Sequence, residues 1–206
     1  MTDNTGGWGT LERWRSVALL GPGVGFLLIT VNAGFIMVAN TGMDLPPLVH
    51  LGLMLVAYVG LLGLSRRIVE HAPRLGRVCQ ALPLIFGLEI VLAFGVGLLP
   101  ATPPRALFAL TVALGVVGGI LTMTAFGVAS LWTRAYPRPV GGFLLLTALG
   151  FCFVIVKSVL FGDLGGPEWV TVVNNGLVGL SLTAVGYVLR TEGKPADGTE
   201  SAEAVG

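Results

Sequence analysis

From Ser16 to Leu189 the chain is a succession of apolar stretches parted by short polar turns. Each stretch is about twenty residues long, enough for one crossing of a bilayer's hydrocarbon core, which is about 30 Å thick, at a helical rise of about 1.5 Å per residue. The stretches are Ser16–Ala39, Leu48–Leu64, Val78–Leu99, Ala106–Leu131, Val140–Phe161 and Trp169–Leu189. Of the 206 residues, 11% are charged and 54% hydrophobic, whereas soluble domains carry about 25% charged residues. So little polar surface cannot enclose a water-soluble core. The expected fold is all-α, a polytopic bundle of six transmembrane helices with short loops. The 31 glycines suit close helix packing in lipid.

Three segments follow from this pattern. Residues 1–15 are a polar N-terminal segment, 16–190 the transmembrane domain, and 191–206 a short polar tail expected to be disordered. The first apolar stretch is too long for a signal-peptide core and is expected to be retained. Gly21-Pro22-Gly23 is expected to bend it. Cys79 and Cys152, the two cysteines, fall in or beside apolar stretches and read as small buried hydrophobes.

Orientation follows from the basic residues. With both termini in the cytoplasm, the inner segments hold Arg13, Arg15, Arg66, Arg67, Arg74, Arg77, Arg134, Arg138, Arg190 and Lys194, and the outer turns hold Arg105. The expected location is the cell membrane, with the lipid bilayer as principal partner. A net charge of +1 without a basic stripe argues against a nucleic-acid partner.

The third stretch carries Glu89 at its centre. A charge at the bilayer centre costs about 2.5–3.5 kcal/mol on insertion scales, and such residues mark functional sites by default. Ala81, Ile85, Glu89, Ala93 and Gly97 recur at i+4 spacing, and the row turns small beyond Glu89. That suits a face turned toward another helix. Lys157 is the candidate counter-ion, provided the third and fifth helices are neighbours; otherwise its stem lies along the helix and its ammonium reaches the interface. Asn32, His50, Asn174 and Asn175 fall in the outer halves of their helices, so a polar site opening outward is expected around Glu89, with Lys157, Asn32, His50 and Asn174 lining it. Asn174 and Asn175 point about 100° apart, so one of the two faces such a site.

Gly115 and Gly119 form a Gly-x-x-x-Gly pair, a face for close helix packing within the chain. Gly25–Thr30 resembles Gly142–Thr147, and Val49–Leu53 resembles Val173–Leu177, which would make the first and last helix pairs a parallel repeat. No motif assigns a metal or a cofactor. A lone histidine in the bundle cannot supply bis-histidine haem ligation. No Gly-x-Ser-x-Gly, His-Glu-x-x-His or phosphate loop indicates an enzyme. Two functions remain open. One is a small transporter or ion- or ligand-binding membrane protein using Glu89. The other is a non-catalytic accessory or structural subunit of a larger membrane complex, docking through Gly115, Gly119 and the basic segment Arg66–Arg77; besides lipid, the candidate partners are another membrane protein or a second copy of the chain in a homo-oligomer.

Overall fold

The computed structural model describes residues 8–43, 47–97, 105–161 and 168–192. Within them, residues 8–10, 12–13, 47–48, 96–97, 105–109, 111–112, 157–161 and 168 are described by their backbone alone. The expected tail beyond residue 192 and the outer turn with Arg105's neighbours 98–104 lie outside the described residues.

The described residues form six helices: α1 (Trp8–Ala39), α2 (Pro47–His71), α3 (Pro73–Gly97), α4 (Arg105–Thr133), α5 (Arg138–Phe161) and α6 (Glu168–Glu192). All six are long and apolar enough to cross a membrane. Each packs against the next in sequence, α6 closes back onto α1, and α2 also touches α4. The result is a ring in which α3 sits over the groove between α2 and α4. The interior is filled by side chains, among them Leu19, Phe26, Met54, Tyr58, Leu61, Met123, Phe126, Leu144 and Leu182.

Several helices outrun the apolar stretches that announce them. α1 starts at Trp8, so residues 8–15 belong to the helix rather than to a loose segment. The reason lies in α2: a Cβ on Gly63 would stand 2.6 Å from the Leu11 carbonyl oxygen and 2.9 Å from the Arg15 Cβ. The bare backbone of Gly63 lets the first turns of α1 rest on α2. α1 also continues through Pro22. The basic segment between the second and third stretches is not a loop. It is the last turns of α2 and the first of α3, with Ala72 between them. Pro73 takes the first helical position, where its missing N–H is not needed. Gly76 brings α3 within a backbone's width of Val69, where a Cβ would stand 2.5 Å from the Val69 Cα. Arg66 and Glu70 pair along α2 at 3.4 Å, an exposed i,i+4 contact that contributes little.

α1 and α6 meet backbone to backbone along their length. A Cβ on Gly23 would stand 2.5 Å from the Thr183 backbone nitrogen, one on Gly179 2.9 Å from the Leu27 nitrogen, and one on Gly186 2.8 Å from the Leu20 nitrogen. Small residues here let two backbones meet, the packing mode available where both helices are already surrounded by apolar material.

At the end of the ring that holds the start of α1 and the end of α6, Tyr136 ties four elements together. It lies in the turn between α4 and α5. Its hydroxyl donates to the Leu64 carbonyl at 2.9 Å. The Arg15 guanidinium lies 5.5 Å and that of Arg67 5.4 Å from its ring centroid. Arg67 in turn reaches Glu192 at the end of α6, at 3.4 Å. Arg15 is therefore a buried part of the fold, not only a flanking charge. Its contact with a π face contributes about 0.5–2 kcal/mol, depending on how dry the site is. Arg134 adopts φ 53° and closes α4 by donating its N–H to the Ser130 carbonyl at 3.1 Å; Asn40 ends α1 in the same way, with φ 49°.

Candidate functional site

The buried line of α3 runs through Cys79, Pro83, Gly87 and Ile90, with Phe86 beside it. This corrects the i+4 row of the sequence: Ile85 is 60% exposed and Ala81 is exposed too, so that row leaves the interior below Glu89. Glu89 stands at the edge of the buried line, on the side of α4. Its residue is half-buried, yet both carboxyl oxygens are fully covered. The stem borders the surface and the polar end turns in.

Glycines make room for that end. Phe86 of α3 packs on Gly118 of α4, and three residues on Glu89 meets Gly115, whose Cβ would lie 3.8 Å from Oε2 and 3.4 Å from a methyl of Leu51 on α2. Gly119 faces Met54 of α2 and Phe151 of α5. Gly115 and Gly119 thus serve packing inside the chain, and both are buried by its own helices.

Two groups the sequence reading passed over complete the interior. Tyr58 of α2 packs its ring edge on α3 at Gly87, where a Cβ would lie 3.9 Å away. Its hydroxyl faces Thr122 of α4 and lies within electrostatic range of Glu89. Tyr58 is 1% and Thr122 0% exposed. Both oxygens of Glu89 lack a hydrogen-bond partner, and the hydroxyls of Tyr58 and Thr122, though close enough to interact with each other, are not aligned for a hydrogen bond. Four buried oxygen atoms without an aligned hydrogen bond therefore belong to one contact of three helices. Buried polar groups in folded proteins are nearly always paired, so each exception asks for an explanation. No family model, curated protein or solved structure matches this chain. The site stands on its own geometry.

A signal for Tyr58 was present in the sequence. Tyrosines of membrane spans gather at the two interfaces, and Tyr58 lies near the middle of the span Val49–His71.

The other residues expected around Glu89 are dispersed. Lys157 lies on α5, and its side chain is outside the described residues. Among those residues α5 does not pack on α3, because α4 stands between them; the neighbour relation that a Glu89–Lys157 pair requires is not present. Asn32 is engaged locally. Its amide nitrogen donates to the Met43 carbonyl at 2.9 Å and its oxygen accepts from the Met43 N–H at 3.0 Å. Through both polar atoms it fastens the chain leaving α1. His50 turns toward α1, with its ring centroid 6.0 Å from that of Phe26. Asn174 faces α5 at Gly150, with its Oδ1 buried and unpartnered, while Asn175 is buried. α6 contacts α1 and α5 but not α3 or α4, so Asn174 belongs to a different part of the ring. Among the described residues, no group of three or more His, Cys, Asp or Glu side chains gathers for a metal ion.

Proposed function

We propose that this chain is a small multi-pass membrane protein that binds an ion or ligand at Glu89, in the manner of a transporter. Its helices cross the cell membrane with both termini in the cytoplasm. The positive-inside tendency supports that orientation, since the arginines of α1, α2, α3, α5 and α6 and Arg134 after α4 cluster at the helix ends near the termini. Glu89 then lies in the outer half of α3.

The observation that carries the reading is the covered, unpartnered carboxyl of Glu89. A carboxyl retained only as a tie between helices would be hydrogen-bonded to the neighbour it ties. This one is placed against Gly115 of α4 and makes no hydrogen bond. A docking role for Gly115 and Gly119 has less support, since α2, α3 and α5 already cover them.

The test uses purified protein in proteoliposomes with a trapped pH-sensitive dye and imposed ion gradients. The wild type is expected to dissipate a gradient at least tenfold faster than Glu89→Gln, with both inserted to the same extent. Equal rates for the two proteins, or a wild type no faster than empty vesicles, contradict the reading.

A further inference from the structure

We infer that the ligand of this site is a single monovalent metal cation, with Glu89 supplying the charge and Tyr58 and Thr122 the neutral oxygens. The inference rests on the reading of Glu89 as a binding group and names what it binds.

Charge balance comes first. Around the carboxyl, α2 contributes Tyr58 as its titratable group, while His50 faces Phe26 on α1. Between Leu110 and Thr133, α4 contributes none, and within the apolar part of α3 the other titratable side chain is Cys79. The arginines of these helices lie at their ends, Arg66, Arg67, Arg74 and Arg77 around Ala72 and Arg105 at the first residue of α4, and not in the turns beside Glu89. Ionised, Glu89 supplies the one negative charge among the described side chains around it. An anion would be repelled, a neutral solute would leave that charge uncompensated, and a divalent ion would leave an excess positive charge in a low-dielectric interior. One positive charge closes the balance.

The kind of oxygen comes second. Hard cations take oxygen ligands, with carboxylates and neutral oxygens together in one shell, about 2.3–2.6 Å from the ion in the case of calcium. Oxygens grouped around such an ion stand too far apart to hydrogen-bond to one another. That suits a carboxyl with no partner beside two hydroxyls that approach each other without an aligned hydrogen bond. A proton on Glu89 would remove its charge but add a buried O–H donor, and would bring no further ligand to the hydroxyls of Tyr58 and Thr122. Hydroxyls serve a cation well because their lone pairs turn toward it while the O–H turns away.

The experiment follows thermal unfolding of the purified full chain in sodium, lithium, potassium or choline chloride at equal ionic strength. Ligand binding to the folded state raises the midpoint with the logarithm of ligand concentration. At least one alkali cation is expected to raise it relative to choline. The rise should vanish in Glu89→Gln, and Tyr58→Phe and Thr122→Val should each need about tenfold more cation, the equivalent of about 1.4 kcal/mol. Unfolding of the three variants in choline confirms that they fold. Identical midpoints in all four salts overturn the inference, as does a cation effect that survives Glu89→Gln or is untouched by both hydroxyl variants. If the salts are indifferent but Glu89→Gln still abolishes flux in proteoliposomes, the cation is wrong and Glu89 remains the binding group. If the flux difference is absent as well, both readings fall.

Discussion

Gly179→Ala is expected to destabilise the bundle by about 3 kcal/mol, whereas Gly142→Ala is expected to leave it unchanged or slightly more stable. The added atom is the same methyl, and the difference lies in what it meets. At Gly179 it would stand 2.9 Å from the Leu27 nitrogen and 3.0 Å from the Gly23 carbonyl oxygen, both backbone atoms of α1. A backbone cannot turn aside as a side chain does, so α1 and α6 must separate along their length. Overpacking of a well-filled interior commonly costs about 1–3 kcal/mol, and a collision with backbone belongs at the upper end. At Gly142 nothing lies within 4 Å, and in a helix alanine is favoured over glycine by about 1 kcal/mol. Unfolding of both variants in mixed micelles with increasing dodecyl sulfate measures the contrast. Equal midpoints would mean that α1 and α6 do not meet at these glycines.

Glu89→Met, by contrast, is expected to stabilise the protein by about 1–3 kcal/mol in choline chloride. Methionine has nearly the shape of glutamate and no group to leave unpaired. A buried polar group without a partner carries a penalty of about 1–3 kcal/mol, more when charged, and replacing it by an apolar side chain of like volume relieves that penalty. The same substitution should abolish any cation effect. Stability gained with binding lost is the usual mark of a residue kept for function. A loss of stability in Glu89→Met would instead identify Glu89 as a structural tie. The comparison is made by the same micellar unfolding, with Glu89→Gln as the polar control.

The six helices were legible because lipid imposes a length and an apolar composition on every crossing, and Ser16–Ala39 or Val140–Phe161 meets both. That Glu89 would turn inward was legible too, because a carboxyl in an apolar stretch has few other places to go. Which groups it would meet was not. Neighbour order in a helical ring depends on where backbones can touch, and that is set by scattered glycines such as Gly23, Gly118 and Gly179, whose partners are distant in sequence. Depth alone therefore grouped Asn32, His50 and Asn174 with Glu89, although Asn32 is spent on Met43 and Asn174 faces α5. Lys157 was chosen for its charge, with no means of seeing α4 between it and α3. Tyr58 and Thr122 were missed for the converse reason: a hydroxyl is unremarkable in sequence and becomes informative only when its burial leaves it without an aligned hydrogen bond. Arg15 likewise read only as one of the inner basic residues until Tyr136, from a turn far along the chain, proved to lie beneath it.

The proposal depends on where α3 points Glu89, and spin labelling reports this directly. With Cys79 and Cys152 replaced by alanine, a nitroxide is attached in turn to Leu88→Cys, Glu89→Cys and Leu92→Cys in lipid vesicles, and its accessibility to dissolved oxygen is measured by power saturation. Leu88 and Leu92 are 61% and 62% exposed, whereas the carboxyl end of Glu89 is covered by its neighbours. The expected result is high oxygen accessibility at 88 and 92 and a marked minimum at 89. Accessibility at 89 as high as at its two neighbours would place the carboxyl among lipid chains and leave no buried site for an ion.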